Sequence, residues 1–178
     1  HDVVVLIPAL DEAPSLPGVL AAIPPAGEGW RLRSVVVVDN GSSDGTAELA
    51  RAAGATVVSE PRRGYGAACL AGLAHLRGQP PDIVVFLDAD LRDFTSRYVV
   101  GLLGPLVLHP EISYVKATYD RPVATTPGVA PAGGGRVTEL LARPLLNAWW
   151  PQLSGFVQPL SGEYAGRRAV LERVPFVA

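Results

Sequence analysis

The 178-residue chain has one cysteine, no methionine, and a single lysine among its fifteen basic residues. One thiol, Cys69, makes neither an intramolecular disulfide nor a multi-thiolate metal site, which excludes disulfide-stapled scaffolds and zinc ribbons. Cys69 reads instead as a small buried apolar side chain. The lack of methionine suggests a fragment or a processed chain. Long apolar runs are missing too: the longest candidate, Val99 to Leu108, is interrupted by Gly101, Gly104 and Pro105. An integral membrane segment is therefore not expected. The opening Asp2 to Pro8 is too short and too acidic at its start for a secretory signal, so the expected address is the cytoplasm. A net charge of −2, with ten acids and six bases in residues 1–89 and seven acids and nine bases in 90–178, leaves no basic footprint for nucleic acid. The preference for arginine over lysine reflects either composition bias or sites that grip carboxylates and phosphates.

What is present is a 48% apolar composition with nineteen glycines and seventeen prolines, enough for one compact domain, 1–178, with many turns. Short β-branched runs recur at Val3 to Ile7, Val35 to Val38, Thr56 to Ser59 and Ile83 to Leu87. The stretches between them carry helical patterning. That alternation predicts an α/β fold with a mostly parallel central sheet flanked by helices. Asp44 or Ser43 caps a helix through Leu49 and Ala50 that Gly54 stops. A further helix spans about Gly66 to Leu76, and another runs near Tyr98 to Leu108, where Pro105 shifts or kinks the end. Ile112 to Lys116 reads as a fifth strand. Asp120 to Gly135 reads as a long loop of the kind that carries function or moves.

In an open parallel sheet, ligands bind beyond the carboxyl ends of the strands. Three polar clusters fall at such ends: Pro8 to Glu12, Asp39 to Asp44, and Asp88-Ala89-Asp90. Together they are suited to a base, a ribose and a metal-bound diphosphate. In extended chain Asp88 and Asp90 share a face, which suits Mg²⁺ or Mn²⁺ bridged to phosphate oxygens; otherwise they cap the next helix or its turn. A haloacid-dehalogenase phosphatase also uses Asp-x-Asp after an apolar strand, but Arg92 stands where that pattern wants Thr or Val. Gly64-Tyr65-Gly66 lacks the third glycine of a dinucleotide fingerprint and reads as a tight turn before a closely packed helix.

Gly133-Gly134-Gly135-Arg136-Val137-Thr138 opens a helix with Val137, Leu140 and Leu141 as its apolar face. It is either an anion site, with Arg136 as a bidentate fork, or a glycine hinge. Glu163, in Gly162-Glu163-Tyr164, binds a sugar hydroxyl or pairs with an arginine. Trp149-Trp150 reads as core or subunit contact, or else as a stacking platform. His75 and His109 read as structural.

The run Pro8 to Glu12, then Val37 to Thr46, then Asp88-Ala89-Asp90 resembles the GT-A glycosyltransferases of family 2, whose fold is Rossmann-like. In the second half, Tyr119 to Pro122, Gly133 to Leu140 and Gln158 to Tyr164 are similar to the glucosyl-3-phosphoglycerate synthases and their mannosyl counterparts. The resemblance implies a nucleotide-sugar-binding half, 1–90, and an acceptor-binding half, 91–178. In the donor site it implies Pro8, Leu10, Glu12, Asp39, Asn40, Tyr65 and Asp88. For the acceptor it implies Gly135, Arg136 and Thr138. Asp90 would bind the metal, Mg²⁺ or Mn²⁺, and Glu163 the donor-sugar hydroxyls, these two being the catalytic pair.

The activity so implied is metal-dependent, retaining transfer of a hexose, glucose before mannose, from a nucleoside-diphosphate sugar such as UDP-glucose to 3-phosphoglycerate, by a homodimer. Loading a polyprenyl phosphate, or nucleotide binding without catalysis, are the competing readings. Two departures stand out. Tyr65 occupies a position where these enzymes often carry Lys, leaving Arg62 or Arg63 as substitutes. Their chains also continue past the position of Ala178 into a segment with a His metal ligand, which neither His75 nor His109 matches.

Overall fold

The computed structural model describes residues 1–118 and 135–174, together with the backbone of 121–125 and 128–132. Tyr119, Asp120, Gly133 and Gly134, from the second-half motifs, lie outside the described residues. The chain divides into two compact units, one of residues 1–115 and 163–178, the other of 116–162.

The first unit is built on β1 (Asp2–Ala9), β3 (Trp30–Asp39), β4 (Thr56–Ser59) and β5 (Ile83–Phe86). These strands are mutually parallel in the order β4-β3-β1-β5. A two-residue β2 (Ala26–Gly27) pairs antiparallel with the start of β3. On the far side β5 is joined by β9 (Tyr164–Arg167), antiparallel, and then by β6 (Tyr114–Lys116). The expected parallel sheet is thus present, and β9, like the short β2, is a strand that sequence patterning did not announce.

Central strands covered on both faces need continuous apolar runs rather than alternation. Val3 to Ile7 and Ile83 to Leu87 are such runs, and all are fully buried. On one face Val4, Leu6, Val36, Val38, Val84 and Phe86 form a core with Ala68, Cys69 and Leu76. Ala68 and Cys69 belong to α3 (Tyr65–His75). Gly72 lets α3 lie close to β1, because a Cβ there would fall 2.3 Å from Leu6 Cδ1. The expected close packing after Gly64-Tyr65-Gly66 is real, and Gly72 makes it possible.

Among the described residues the remaining α-helices of this unit are α1 (Leu16–Ala22), α2 (Thr46–Ala52), α4 (Ser96–Leu108) and α6 (Arg168–Leu171). Helix α2 ends as its sequence predicts, with Gly54 at φ +82°. Helix α4 runs past Pro105 for another turn. Its Leu106 carbonyl finds a donor in the Arg167 guanidinium at 2.6 Å, which also binds Ile112 O, beyond the helix, at 2.9 Å. This gives Arg167 a structural task.

In the second unit the expected loop is in part a hairpin: β7 (Arg121–Thr125) pairs antiparallel with β8 (Gly128–Ala132). A π-helical turn, Thr138–Ala142, leads into α5 (Arg143–Trp149) and a 3₁₀ turn, Pro151–Leu153. The apolar face Val137, Leu140 and Leu141 is left uncovered here, Leu140 being 77% exposed, and of the readings of Trp149-Trp150 the core one fails, Trp149 being 65% exposed, which leaves subunit contact or a stacking platform. A wider π turn rotates successive side chains by less than an α-helix does, so the i, i+3, i+4 stripe does not converge on one covered face. Thr138 is instead the buried residue of this turn.

Candidate active site

Strand order reverses at β1. The chain leaves β1 toward β3 and β4 and returns to β5 on its other side, and ligands of such sheets bind at this switch, beyond the carboxyl ends. The registers align those ends: Ala9 opposite Asp39, Asp39 opposite Ser59, and Leu6 opposite Phe86. Carrying the β1–β5 register on by two residues sets Asp88 beside Pro8. On the other flank Phe86 pairs with Tyr164, so Glu163 arrives beside the Leu87 end of β5. Pro8, Asp39, Asp88 and Glu163 therefore lie along one edge of the sheet.

Around that edge the loops hold one another through side chains. Asp11, at φ +56°, accepts from Ser43 N at 2.7 Å, while its own N–H donates to Ser42 Oγ at 3.0 Å. Asp44 accepts from Ala13 N at 2.9 Å and from Thr46 N at 3.0 Å. Thr46 Oγ1 donates to Asp44 at 2.5 Å and accepts from Glu12 N at 2.9 Å. The Thr46 hydroxyl above all, with the two backbone donors, holds the Asp44 carboxyl below its ordinary range. Asp39 accepts from Ser42 N at 3.2 Å, and Ser15 Oγ donates to Glu12 Oε2 at 2.6 Å. Leu10 is left exposed at the tip of the first loop.

Asn40, 4% exposed, faces inward. Its Nδ2 donates to Glu60 O and Arg62 O, both at 2.8 Å, and its Oδ1 accepts from Gly64 N at 2.7 Å. Both of its side-chain N–H groups are thereby used on the loop that leads into α3. Sequence reading gives Asp44 a task at the start of α2 but misses the long-range bonds of Asp11, Asp44 and Thr46. The Asp-Ser-Thr composition signalled turns, but partners more than thirty residues apart carry no local signal.

Asp88 is half-buried and Asp90 exposed. Tyr65 opens α3, and Cys69 lies one turn further on the same face. Tyr65 is 50% exposed as a whole, but desolvation around its hydroxyl raises it, with further rises from the charges of Cys69, Asp88 and Tyr164. Burial likewise pushes the Cys69 thiol up to about 11. Tyr164 stacks on Phe86 at 4.4 Å and tilts against Tyr114 at 5.7 Å. Glu163, just before it, is 1% exposed.

Among the described residues no three His, Cys, Asp or Glu side chains form an all-protein metal cage. A hard divalent cation held partly by phosphate oxygens and water needs only one or two carboxylates. The pair Asp88 and Asp90 fits such a cation, arriving with a diphosphate. His75 and His109 stay outside this set, and His109 lies 3.3 Å from Glu111.

In the second unit Gly135 has φ +86° and Arg136, which follows it, is exposed. Glu139 N–H donates to Gly135 O at 3.0 Å, and Arg143 pairs with Glu139 at 2.9 Å. Lys116 donates to Ser161 O, and Ser161 Oγ to Ala117 O at 3.1 Å. Arg136 and Thr138 are thus two residues apart on the start of one helical turn, the first outward and the second buried.

A parallel sheet with a switch at β1, an Asp-x-Asp at the end of β5 and a buried glutamate opening an antiparallel β9 define a GT-A fold. The glycosyl transferase family 2 model matches residues 4–121, and the chain belongs to that family. Among characterised relatives, the glucosyl-3-phosphoglycerate synthase of Petrotoga mobilis is 45% identical over 153 residues, 82% of this chain and 46% of that protein. The enzyme of the same name from Mycobacterium tuberculosis is 43% identical over 183 residues, 97% of this chain and 55% of its own length. Its crystal structure in complex with Mn²⁺, UDP-glucose and phosphoglyceric acid matches with a TM-score of 0.82 at 39% identity, covering 99% of this chain and 60% of that one. The chain spans about half the length of the curated relatives it matches. Among the described residues no helix is long and apolar enough to cross a membrane.

Proposed function

We propose that this chain carries the core of a metal-dependent, retaining hexosyltransferase that moves glucose from UDP-glucose to 3-phosphoglycerate. One observation carries the reading: the alignment of Pro8, Asp39, Asp88 and Glu163 along the carboxyl edge at the strand switch. The similar crystal structure that holds Mn²⁺, UDP-glucose and phosphoglyceric acid supports the choice of ligands.

Residues 1–90 form the nucleotide-sugar half. Pro8, Leu10, Glu12 and Asp39 line the nucleoside, with Asn40 holding the neighbouring loop and Tyr65 closing the floor at the start of α3. Asp88 faces the ribose and diphosphate, and Asp90 holds Mg²⁺ or Mn²⁺. That cation, when bound, neutralises charge on the departing diphosphate. Glu163, fixed by its burial and by the β5–β9 pairing, accepts from the sugar hydroxyls and orients the anomeric carbon. Residues 91–178 supply the acceptor half: Gly135, Arg136 and Thr138 take the phosphoglycerate, with Arg136 as its main charge partner. A homodimer is the assembly we read here, supported by the exposed apolar side chains of the second unit. A cytoplasmic address accords with two charged, diffusible substrates.

The test is calorimetric titration of UDP-glucose with Mn²⁺, with Mg²⁺ and with EDTA, repeated with 3-phosphoglycerate, with product analysis. Metal-dependent binding followed by glucosylated product supports the proposal. Absence of binding by UDP-glucose under every condition sinks it. Arg136→Ala should raise the acceptor KM far more than the donor KM; an equal rise for both would remove Arg136 from the acceptor site.

A further inference from the structure

The loop between β4 and α3 carries two adjacent arginines, and the fold engages them in opposite ways. Arg62 is spent inside its own loop. Its Nε reaches Glu60 Oε1 at 3.1 Å, its Nη2 reaches Oε2 at 3.2 Å, and its backbone N–H donates to Oε1 at 2.9 Å. Glu60 is buried, and the Arg62 guanidinium holds its carboxyl below the usual range. This bidentate pair cancels the charge of Arg62 locally.

Arg63 turns away from that pair. Its Nη2 leans on Gly41 O at 3.4 Å, in the loop that follows β3. Among the described residues no carboxylate pairs with it. The loop beneath it is held firmly: Asn40 ties the backbone at Glu60, Arg62 and Gly64, and Glu60 N–H donates to Asp39 O at 2.9 Å. Gly64 turns at φ +137°, a conformation that favours glycine, directly after Arg63. An exposed side chain on an anchored backbone keeps its reach while losing little loop entropy on binding.

Charge favours the role, even with a divalent cation at Asp88 and Asp90. The loops after β1 and β3 bring Asp11, Glu12, Asp39 and Asp44 and no basic residue, and the turn after β5 brings Asp88 and Asp90. A diphosphate entering this edge meets carboxylates unless a cation offsets them. Arg92 stands between Asp90 and Asp93 in a loop already rich in acid. The single lysine, Lys116, donates to Ser161 O.

We propose that Arg63, and not its neighbour Arg62, is the protein's cation for the donor diphosphate. The proposal rests on the reading of this edge as a UDP-sugar site. It gives the position held by Tyr65 no charge to supply, since the cation comes from two residues earlier.

The experiment compares the dissociation constants of UDP and of uridine, by calorimetry in EDTA and again with Mn²⁺, for the unaltered chain, Arg63→Ala, Arg63→Lys and Arg62→Ala. Arg63→Ala should weaken UDP by about tenfold in EDTA, as expected for a lost charge-assisted contact, and leave uridine unchanged. Arg63→Lys should recover part of the loss. Arg62→Ala should change UDP affinity by less than about threefold, since its charge is already answered by Glu60. Unchanged UDP affinity in Arg63→Ala overturns the proposal, as does an equal loss in Arg62→Ala. A parallel loss of uridine would show that Arg63 shapes the loop and does not meet phosphate. If the unaltered chain binds no UDP at all, the reading of the site fails first, which these variants do not decide.

Discussion

The two units of this chain treat their apolar side chains in opposite ways. In the unit formed by residues 1–115 and 163–178, the large aliphatic and aromatic residues of the central strands are fully buried, and its loops are held by side-chain bonds to backbone. In residues 116–162, Leu140, Trp149, Val137 and Leu160 are all more than half exposed. A unit with its core closed depends on each core side chain, whereas one whose apolar groups meet water loses little when they change. Among the described residues the first unit therefore carries the closed core, and the second carries exposed apolar side chains.

The comparison is broken most severely by Phe86→Ala. Phe86 is fully buried and stacked on Tyr164 at 4.4 Å, so urea unfolding should show a loss of about 3–5 kcal/mol. Gly72→Ala comes next. A Cβ there would press on buried Leu6, and a cost of about 1–3 kcal/mol is expected, read by the same titration. A Gly72→Ala protein as stable as the parent would show that α3 can move off β1.

Asp44 gives a smaller, pH-dependent effect. Its pKa is lowered in the folded chain, so the folded state binds this proton less readily than the unfolded one. The stability it contributes is present above the ordinary carboxylate pKa and is lost as pH falls through the lowered value. Asp44→Asn should flatten the acid limb of a plot of melting temperature against pH, and an unaltered limb would remove Asp44 from the clamp. The smallest change sharpens the contrast from the other side: Leu140→Ser should alter unfolding by no more than about 0.5 kcal/mol. A large loss there would mean that the second unit has a core of its own.

Cys69 offers a reactivity test of the first unit's closure. It is buried and its thiol is raised to about 11, so it stays protonated at neutral pH. Iodoacetamide should label it only after denaturation.

Much of the first unit was legible in its sequence. Strands β1, β4 and β5 coincide with β-branched runs, and Gly54 ends α2 where its left-handed conformation is needed. The polar clusters at strand ends were found for the same reason, since topology alone places them at the binding edge. The second unit was less legible. Proline, glycine and alanine between residues 121 and 132 read as loop, yet the backbone pairs as β7 and β8. Val137, Leu140 and Leu141 followed a helical stripe that the π turn does not bury.

Asn40 shows where reading by motif stops. The motif places it at the nucleoside, while the fold turns its amide into the 60–64 loop. Arg62 and Arg63 are equivalent in one dimension. Only the position of Glu60, which pairs with Arg62, separates a charge answered by a carboxylate from one that, among the described residues, is not.

By itself the sequence determined the order of β1, β3, β4 and β5 with the helices between them, and the chemistry carried at those strand ends, because apolar periodicity, glycine stops and turn residues act over a few neighbours. Tertiary structure alone decided that β9 enters antiparallel beside β5 and delivers Glu163 to Leu87, that Asp11 and Asp44 bind loops more than thirty residues away, and that Arg63 stays free of Glu60. Those outcomes depend on hydrogen bonds and packing between distant segments, whose geometry exists only once the sheet has closed around its core.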